Sequence, residues 1–235
     1  MNPELLVERL FHVLVTGNRS GAAAIVAEMT DDGATPEWIA HEVYWPVIEM
    51  ISQLFRSDQL TTLAHHYAIR LLRRLIDHTQ LDYEPRGPRG RSVLIFSGPS
   101  ESDELAGQLA ADLLESDGYE TRFAGGGVAN DEILGEIGEH HPDVLLMFSS
   151  GATDAPNIRL IIDTVREINA APQMQIVVGG GVFNRADGLA EEIGADLWAR
   201  TPSELLTRLH QEPARRATPE QRTVGRTRKV TGEAA

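Results

Sequence analysis

The chain has 235 residues, 42% of them hydrophobic, a formal net charge of −14 and no cysteine. That length holds one large domain or two small ones around an ordinary core, and the lack of cysteine excludes disulfides, thiolate catalysis, Cys-zinc sites and thioether-linked cofactors. The basic residues beyond Pro213 give that end about +4, so the rest of the chain carries nearer −18 and repels nucleic-acid phosphates. No run approaches 18 consecutive apolar residues, and no basic patch precedes an apolar core at the N-terminus. A cytoplasmic protein with no membrane contact and no direct nucleic-acid binding is expected.

From Asn2 to Gln80 the signals are all helical. Leu5, Leu6, Leu10, Val13 and Leu14 recur at helical spacing, and Ala22 to Met29 follow. Thr35-Pro36 opens a third helix through Ile39, Val43, Val47, Ile51 and Phe55, with a bend expected at Pro46; a fourth runs from Gln59 to about Thr79. Residues 1–81 are therefore predicted to form a four-helix bundle. Residues 82–91 hold two Pro, two Gly and three Arg, a composition that breaks both helix and central strand and marks a linker. Beyond it, short apolar runs alternate with helical patterns: Val93–Phe96, Tyr119–Phe123, Val144–Phe148, Gln175–Val178 and Ala195–Trp198 read as strands. The expectation for 92–212 is an α/β domain, a doubly wound parallel sheet of order 2-1-3-4-5. The basic tail, 213–235, has few large apolar residues and is expected to be disordered.

In such a sheet the loops at the carboxyl ends of the strands line the ligand crevice. The first, Ser97-Gly98-Pro99, leads into a helix start that Ser100 or Ser102 can cap, with Glu101, Asp103 and Glu104 in its first turn. The third strand is followed by Ser149-Ser150-Gly151-Ala152-Thr153, which offers hydroxyls and backbone amides. Gly179 and Gly180 follow the fourth, where a ligand can approach the backbone closely. Gly125-Gly126-Gly127 lacks the Lys-Ser/Thr of a phosphate loop, and no Gly-x-Gly-x-x-Gly follows the first strand, which disfavours nucleotide cofactors. Ser149 and Ser150 have no His-Asp partnership in sequence, so no catalytic constellation is evident and a non-enzymatic protein is expected.

The turns at Gly118-Tyr119-Glu120, at Ala124 to Val128 before Asp131-Glu132, at Pro142-Asp143, at Gly179-Gly180 and at Gly194-Ala195-Asp196 resemble those of cobalamin-binding modules, closest to the light-sensing regulators of the CarH/LitR type. That resemblance covers about Leu5 to Leu209. It implies a corrinoid held between bundle and sheet, with Phe55, His65 and His66 standing where those sensors carry a Trp and, nine residues on, Glu-His over the upper face. His66 is then the metal-facing imidazole. The family's Asp/Glu-x-His-x-x-Gly, which binds cobalt from below, is broken here. One register puts Asp103 at the His position and Ala106 at the Gly; the other puts Ser102, Glu104 and Gly107 at the Asp, His and Gly. Neither contains histidine, and a carboxylate is a poor replacement.

The resemblance thus implies a cofactor pocket of Phe55, His65, His66, Glu101, Asp103, Ser149, Ser150, Thr153, Gly179 and Gly180. Three functions compete. The first is a tetrapyrrole-binding sensor or regulatory module, possessing cobalamin without a lower His, or haem or non-covalent biliverdin in its place, with a regulatory protein partner or a homo-oligomer as output. The second is a corrinoid carrier for methyl transfer, and the third a cofactor-free interaction domain.

Overall fold

A computed structural model of the chain describes residues 1–169 and 171–218. The bundle begins with α1 (Pro3–Val15), started by Asn2, whose side chain accepts the Glu4 N–H, and by Pro3 at the first helical position. After α2 (Arg19–Asp31) comes a long rod in three parts: α3 (Pro36–Ile39), a π-helical turn Ala40–Tyr44, and α4 (Trp45–Arg56). Thr35 caps it, as the sequence predicts. Pro46 has no N–H to give and its ring crowds the carbonyl one turn back. The backbone accommodates this by widening just before the proline, so that the Trp45 N–H reaches Ala40 O, five residues back. Helix α5 (Thr62–Gln80), capped by Thr61, closes the bundle, and Tyr44 and Thr79 share a buried hydrogen bond of 2.8 Å across it.

The second half alternates as expected: β1 (Ser92–Ser97), α6 (Glu101–Ser116), β2 (Glu120–Gly125), α7 (Asn130–His140), β3 (Val144–Phe148), α8 (Ala155–Ile168), β4 (Gln175–Gly179), α9 (Gly181–Arg185), α10 (Leu189–Glu192), β5 (Leu197–Ala199) and α11 (Pro202–Gln211). The single helix anticipated between the last two strands is two short ones. All four strand pairs are parallel, in the order β2-β1-β3-β4-β5. Central strands β1, β3 and β4 are covered on both faces, which explains their unbroken apolar runs.

Val93 and Ile95 face α6 and the bundle, and the bundle core and this sheet face form one apolar cluster; Leu94 and Phe96 face α7 and α8 in a second. The bundle therefore lies against α6 as well as reaching the carboxyl edge. Arg73 of α5 holds Glu104 and Gln108 of α6, each at 3.2 Å, and Gln108 donates to Asp77 at 2.6 Å. At the carboxyl edge Trp45 meets Phe148 edge-on, with centroids 5.8 Å apart.

The linker segment is strapped down. Arg86 and Arg89 donate backbone N–H groups to Ser116 O and Gly118 O, at 2.8 and 2.7 Å. Their guanidinium groups, with His210, converge on the buried Asp117. Gly118 has φ +93°, and a Cβ there would lie 2.2 Å from Gly87 O. The docked chain also runs past the tail boundary expected at Pro213: Gln175 donates to Glu212 O and Arg215 O, and the Ala217 N–H donates to Asp196 at 2.7 Å. Asp196 already accepts the Ile176 N–H and an Arg166 guanidinium, so this carboxylate gathers the chain end onto the amino edge of the sheet. The rest of the expected tail, 219–235, lies outside the described residues. Among the described residues no helix is long and apolar enough to cross a membrane.

Candidate functional site

The first turn of α5 stands over the first turn of α6. Residues 65, 68, 69, 72, 75, 76 and 79 share the apolar stripe of α5, so helical geometry turns His65 inward and leaves its neighbour His66, about 100° round the axis, exposed. His65 thus points into the contact, and His66, the imidazole expected to face the metal, lies on the exposed side of it. His65 is 6% exposed. Its ring stacks on Phe55 with centroids 4.0 Å apart and an 18° interplanar angle, and its Nε2 lies 3.2 Å from Ser102 Oγ. Its Nδ1 is buried with no partner, as is Glu101 Oε2. One ligand atom from each of His65, His66 and Glu101 lies within 4.8 Å of the others. Burial pushes the His65 pKa down; Glu101 opposes that shift and His66 adds to it.

On the sheet side, Ser100 caps α6 by accepting the Asp103 N–H at 3.1 Å while its hydroxyl donates to Asp103 Oδ2 at 2.7 Å. Asp103 is 3% exposed, and burial pushes its pKa up, against the hydrogen bonds of Ser100 and Ser150 and helped by the nearby Asp154. Ser149 donates to Asp154 at 2.6 Å and accepts the Gly151 N–H, and Arg185 holds Ser150 O at 2.5 Å. Gly179 and Gly180 are packed against the same loop. A Cβ on Gly179 would lie 2.8 Å from the Phe148 ring, and one on Gly180, at φ +99°, 2.3 Å from Ser149 O. The close approach inferred for these glycines is thus made by the protein itself, by the Phe148 ring at Gly179 and by the Ser149 backbone at Gly180. Thr153 opens instead onto a cavity of about 260 Å³ on the α7/α8 side, lined also by Pro99, Gly127, Met147 and Asn157.

The expected residues therefore fall into two groups. Phe55, His65, His66 and Glu101 meet on the bundle side, whereas Asp103, Ser149 and Ser150 meet on the sheet side. Ser102, Trp45 and Asp154 complete these contacts without having been singled out as site residues. Ser102 was legible only as a helix-cap or register position. Gly107 distinguishes the two registers of the broken motif: a Cβ there would lie 3.0 Å from the Phe123 ring, so it is the glycine at which α6 settles on β2. The histidine position then holds Glu104, which is paired with Arg73.

Residues 91–207 match the family described as B12 binding domain, and residues 6–80 match a second family of the same description. A helical module followed by a parallel-sheet module is the arrangement both matches span, and the chain belongs to the B12-binding domain proteins. It is 22% identical over 209 residues to monomethylamine corrinoid protein 1 of Methanosarcina acetivorans, covering 85% of this chain and 93% of that one. It is 21% identical over 209 residues to the protein of the same name from Methanosarcina mazei, with the same coverage. The solved structure of the Methanosarcina barkeri monomethylamine corrinoid protein superposes with a TM-score of 0.69 at 16% identity, covering 89% of this chain and 99% of that one. It shares the fold.

Cobalamin is the cofactor of this family. On the sheet side the residues present do not supply the imidazole that would meet its cobalt, since Asp103 and Glu104 are both engaged within the protein. On the bundle side they fit a metal-centred group, for there a buried imidazole nitrogen and a buried carboxylate oxygen are unpartnered beside the exposed His66.

Proposed function

We propose that this protein is a corrinoid carrier of the methyl-transfer type, which holds its cofactor between bundle and sheet and presents it to a protein partner, and is not itself the catalyst. The observation that carries this reading is the pair of B12-binding matches, 6–80 and 91–207, in one chain and in that order. Its similarity to monomethylamine corrinoid proteins over nearly their whole length supports the carrier function above the sensory one suggested by the resemblance to light-sensing regulators. Nothing in these matches favours haem or biliverdin.

When bound, the corrinoid supplies a cobalt centre able to accept and release a methyl group. The chain's own residues hold it from the bundle side: Phe55 gives an apolar ring and His65 and His66 give imidazoles. Ser149, Ser150 and Thr153 offer hydroxyls from the carboxyl edge of the sheet. The cavity of about 260 Å³ opens on the α7/α8 side, whereas between bundle and sheet Trp45 meets Phe148 and His65 meets Ser102, so a macrocycle held there requires the bundle to lift from the carboxyl edge. Opening breaks the contacts of His65 with Ser102 and Trp45 with Phe148, the Arg73–Glu104 pair and part of the apolar cluster that bundle and sheet share. Rigid strapping of 82–91 to Asp117 at the far end of α6 makes that end the pivot.

The test is titration of the purified protein with hydroxocobalamin, followed by absorbance. Saturable binding with one equivalent and a Kd below about 10 μM, roughly −7 kcal/mol, is expected, with at least about tenfold weakening in His66→Ala. No spectral change up to that concentration overturns the carrier reading.

A further inference from the structure

We propose that His65, His66 and Glu101 form a binding site for a free divalent transition-metal ion of the zinc class, which ties the bundle to the sheet domain. The inference goes beyond the corrinoid reading and does not depend on it, because it rests on atoms that are unsatisfied within the protein itself.

Burying a polar atom without a partner costs stability, and such atoms call for an explanation. Here two of them, His65 Nδ1 and Glu101 Oε2, belong to residues whose ligand atoms cluster with that of His66. His65 carries the second interaction that metal-bound histidines need: its Nε2 lies 3.2 Å from Ser102 Oγ, and in the tautomer whose Nε2–H donates to that hydroxyl the lone pair of Nδ1 is free for a metal. Phe55, stacked on the ring, fixes its plane and keeps water off one face.

The spacing suits the chemistry. Zinc binds nitrogen and oxygen at about 2.0–2.2 Å in tetrahedral geometry, so two of its ligand atoms stand about 3.4 Å apart. Bringing the three atoms from within 4.8 Å of one another to that spacing takes a rotation of His66, whose side chain is exposed. Two imidazoles and a carboxylate form a three-ligand set that favours zinc, nickel or copper over magnesium or calcium. The fourth position faces solvent past His66 and would hold water. His65 and His66 come from α5 and Glu101 from α6, so an ion here ties bundle to sheet at the contact that must part for a bulky ligand to enter.

The experiment uses the untagged full-length protein, stripped with EDTA and free of corrinoid, titrated with zinc chloride by calorimetry and by thermal melting. One equivalent at low-micromolar Kd or tighter is expected, with a rise in Tm that grows with free zinc. His66→Ala and Glu101→Gln should each weaken binding at least about tenfold, as should Ser102→Ala, which removes no ligand but releases the His65 ring. His66 is exposed, so that variant should retain its fold by circular dichroism. No saturable binding up to about 100 μM zinc, or the same affinity in all three variants, overturns the proposal. Because corrinoid is absent throughout, a negative result leaves the carrier reading untouched, and failure to bind hydroxocobalamin leaves this one untouched.

Discussion

The two ends of the cleft are built on opposite plans. On the sheet side Asp103 and Asp154 each accept from a hydroxyl, of Ser100 and Ser149, and Glu104 is paired with Arg73. Gly179 and Gly180 beside them are closed in by the Phe148 ring and by the Ser149 backbone. On the bundle side the corresponding nitrogen and oxygen of His65 and Glu101 are buried without partners. A closed network stabilises the fold by itself, whereas an open one of the same polarity costs stability until something outside the chain completes it. The sheet-side carboxylates are thus satisfied within the protein, and the unsatisfied groups lie where α5 meets the first turn of α6.

The largest effect that can break this comparison is Gly180→Ala. At φ +99° any side chain is strained, and the added Cβ would overlap Ser149 O. A loss of roughly 3 kcal/mol or more, read from denaturant melts, is expected. A mild effect would mean that the sheet-side loop yields, and that its closure is not fixed by packing. Next comes Asp103. Replacement by Ala leaves the Ser100 hydroxyl without its buried acceptor and should cost about 1–3 kcal/mol, while Asp103→Asn keeps an acceptor and should cost less than about 1 kcal/mol near pH 7. The sign follows from burial. Because its folded pKa is raised, the carboxyl is best tolerated when protonated, so its contribution is full below the unfolded value and is lost as pH rises through the folded one. The neutral amide should therefore flatten the pH dependence. If Asn and Ala were equally damaging, the hydrogen bond would not be what holds this side together.

How much of this was legible in the sequence divides along the same line. The architecture was carried by local signals: Thr35-Pro36, the breakers between Asp82 and Arg91, and short apolar runs ending in Gly or Pro. Strand order followed from simple crossovers. The orientation of the histidine pair was also available, since His65 lies three, four and seven residues before Ala68, Ile69 and Leu72, but the family resemblance drew attention to His66 instead. What could not be read were contacts between residues distant in the chain. The use of Gly180 depends on Ser149 thirty-one residues earlier, the partner of His65 is Ser102, and Arg86 and Arg89 turn a linker into a strap only because Asp117 is buried beneath them. The widening before Pro46 was half legible: the proline announced a bend, and the backbone absorbs it as a π turn.

The smallest expected effect sharpens the bundle side. His65 is held neutral by burial, and the groups that face it are Phe55, Ser102, Glu101 and His66. Its pKa is lowered from about 6.5, so on acidification the unfolded chain takes up a proton before the folded one does. Stability then falls as pH drops below the unfolded value, levelling once the folded imidazole is protonated as well. The slope is bounded by one proton, about 1.4 kcal/mol per pH unit. His65→Gln retains a side chain able to reach Ser102 and cannot titrate. Melting the two proteins between pH 7.5 and 5 in EDTA should show the wild type losing more stability than the variant, with the difference opening below about pH 6.5. A difference that opens in the other direction would mean that Glu101 outweighs burial and that the imidazole is already charged in the folded protein. In that case His65 and Glu101 would pair with each other, and the bundle side would be as closed as the sheet side.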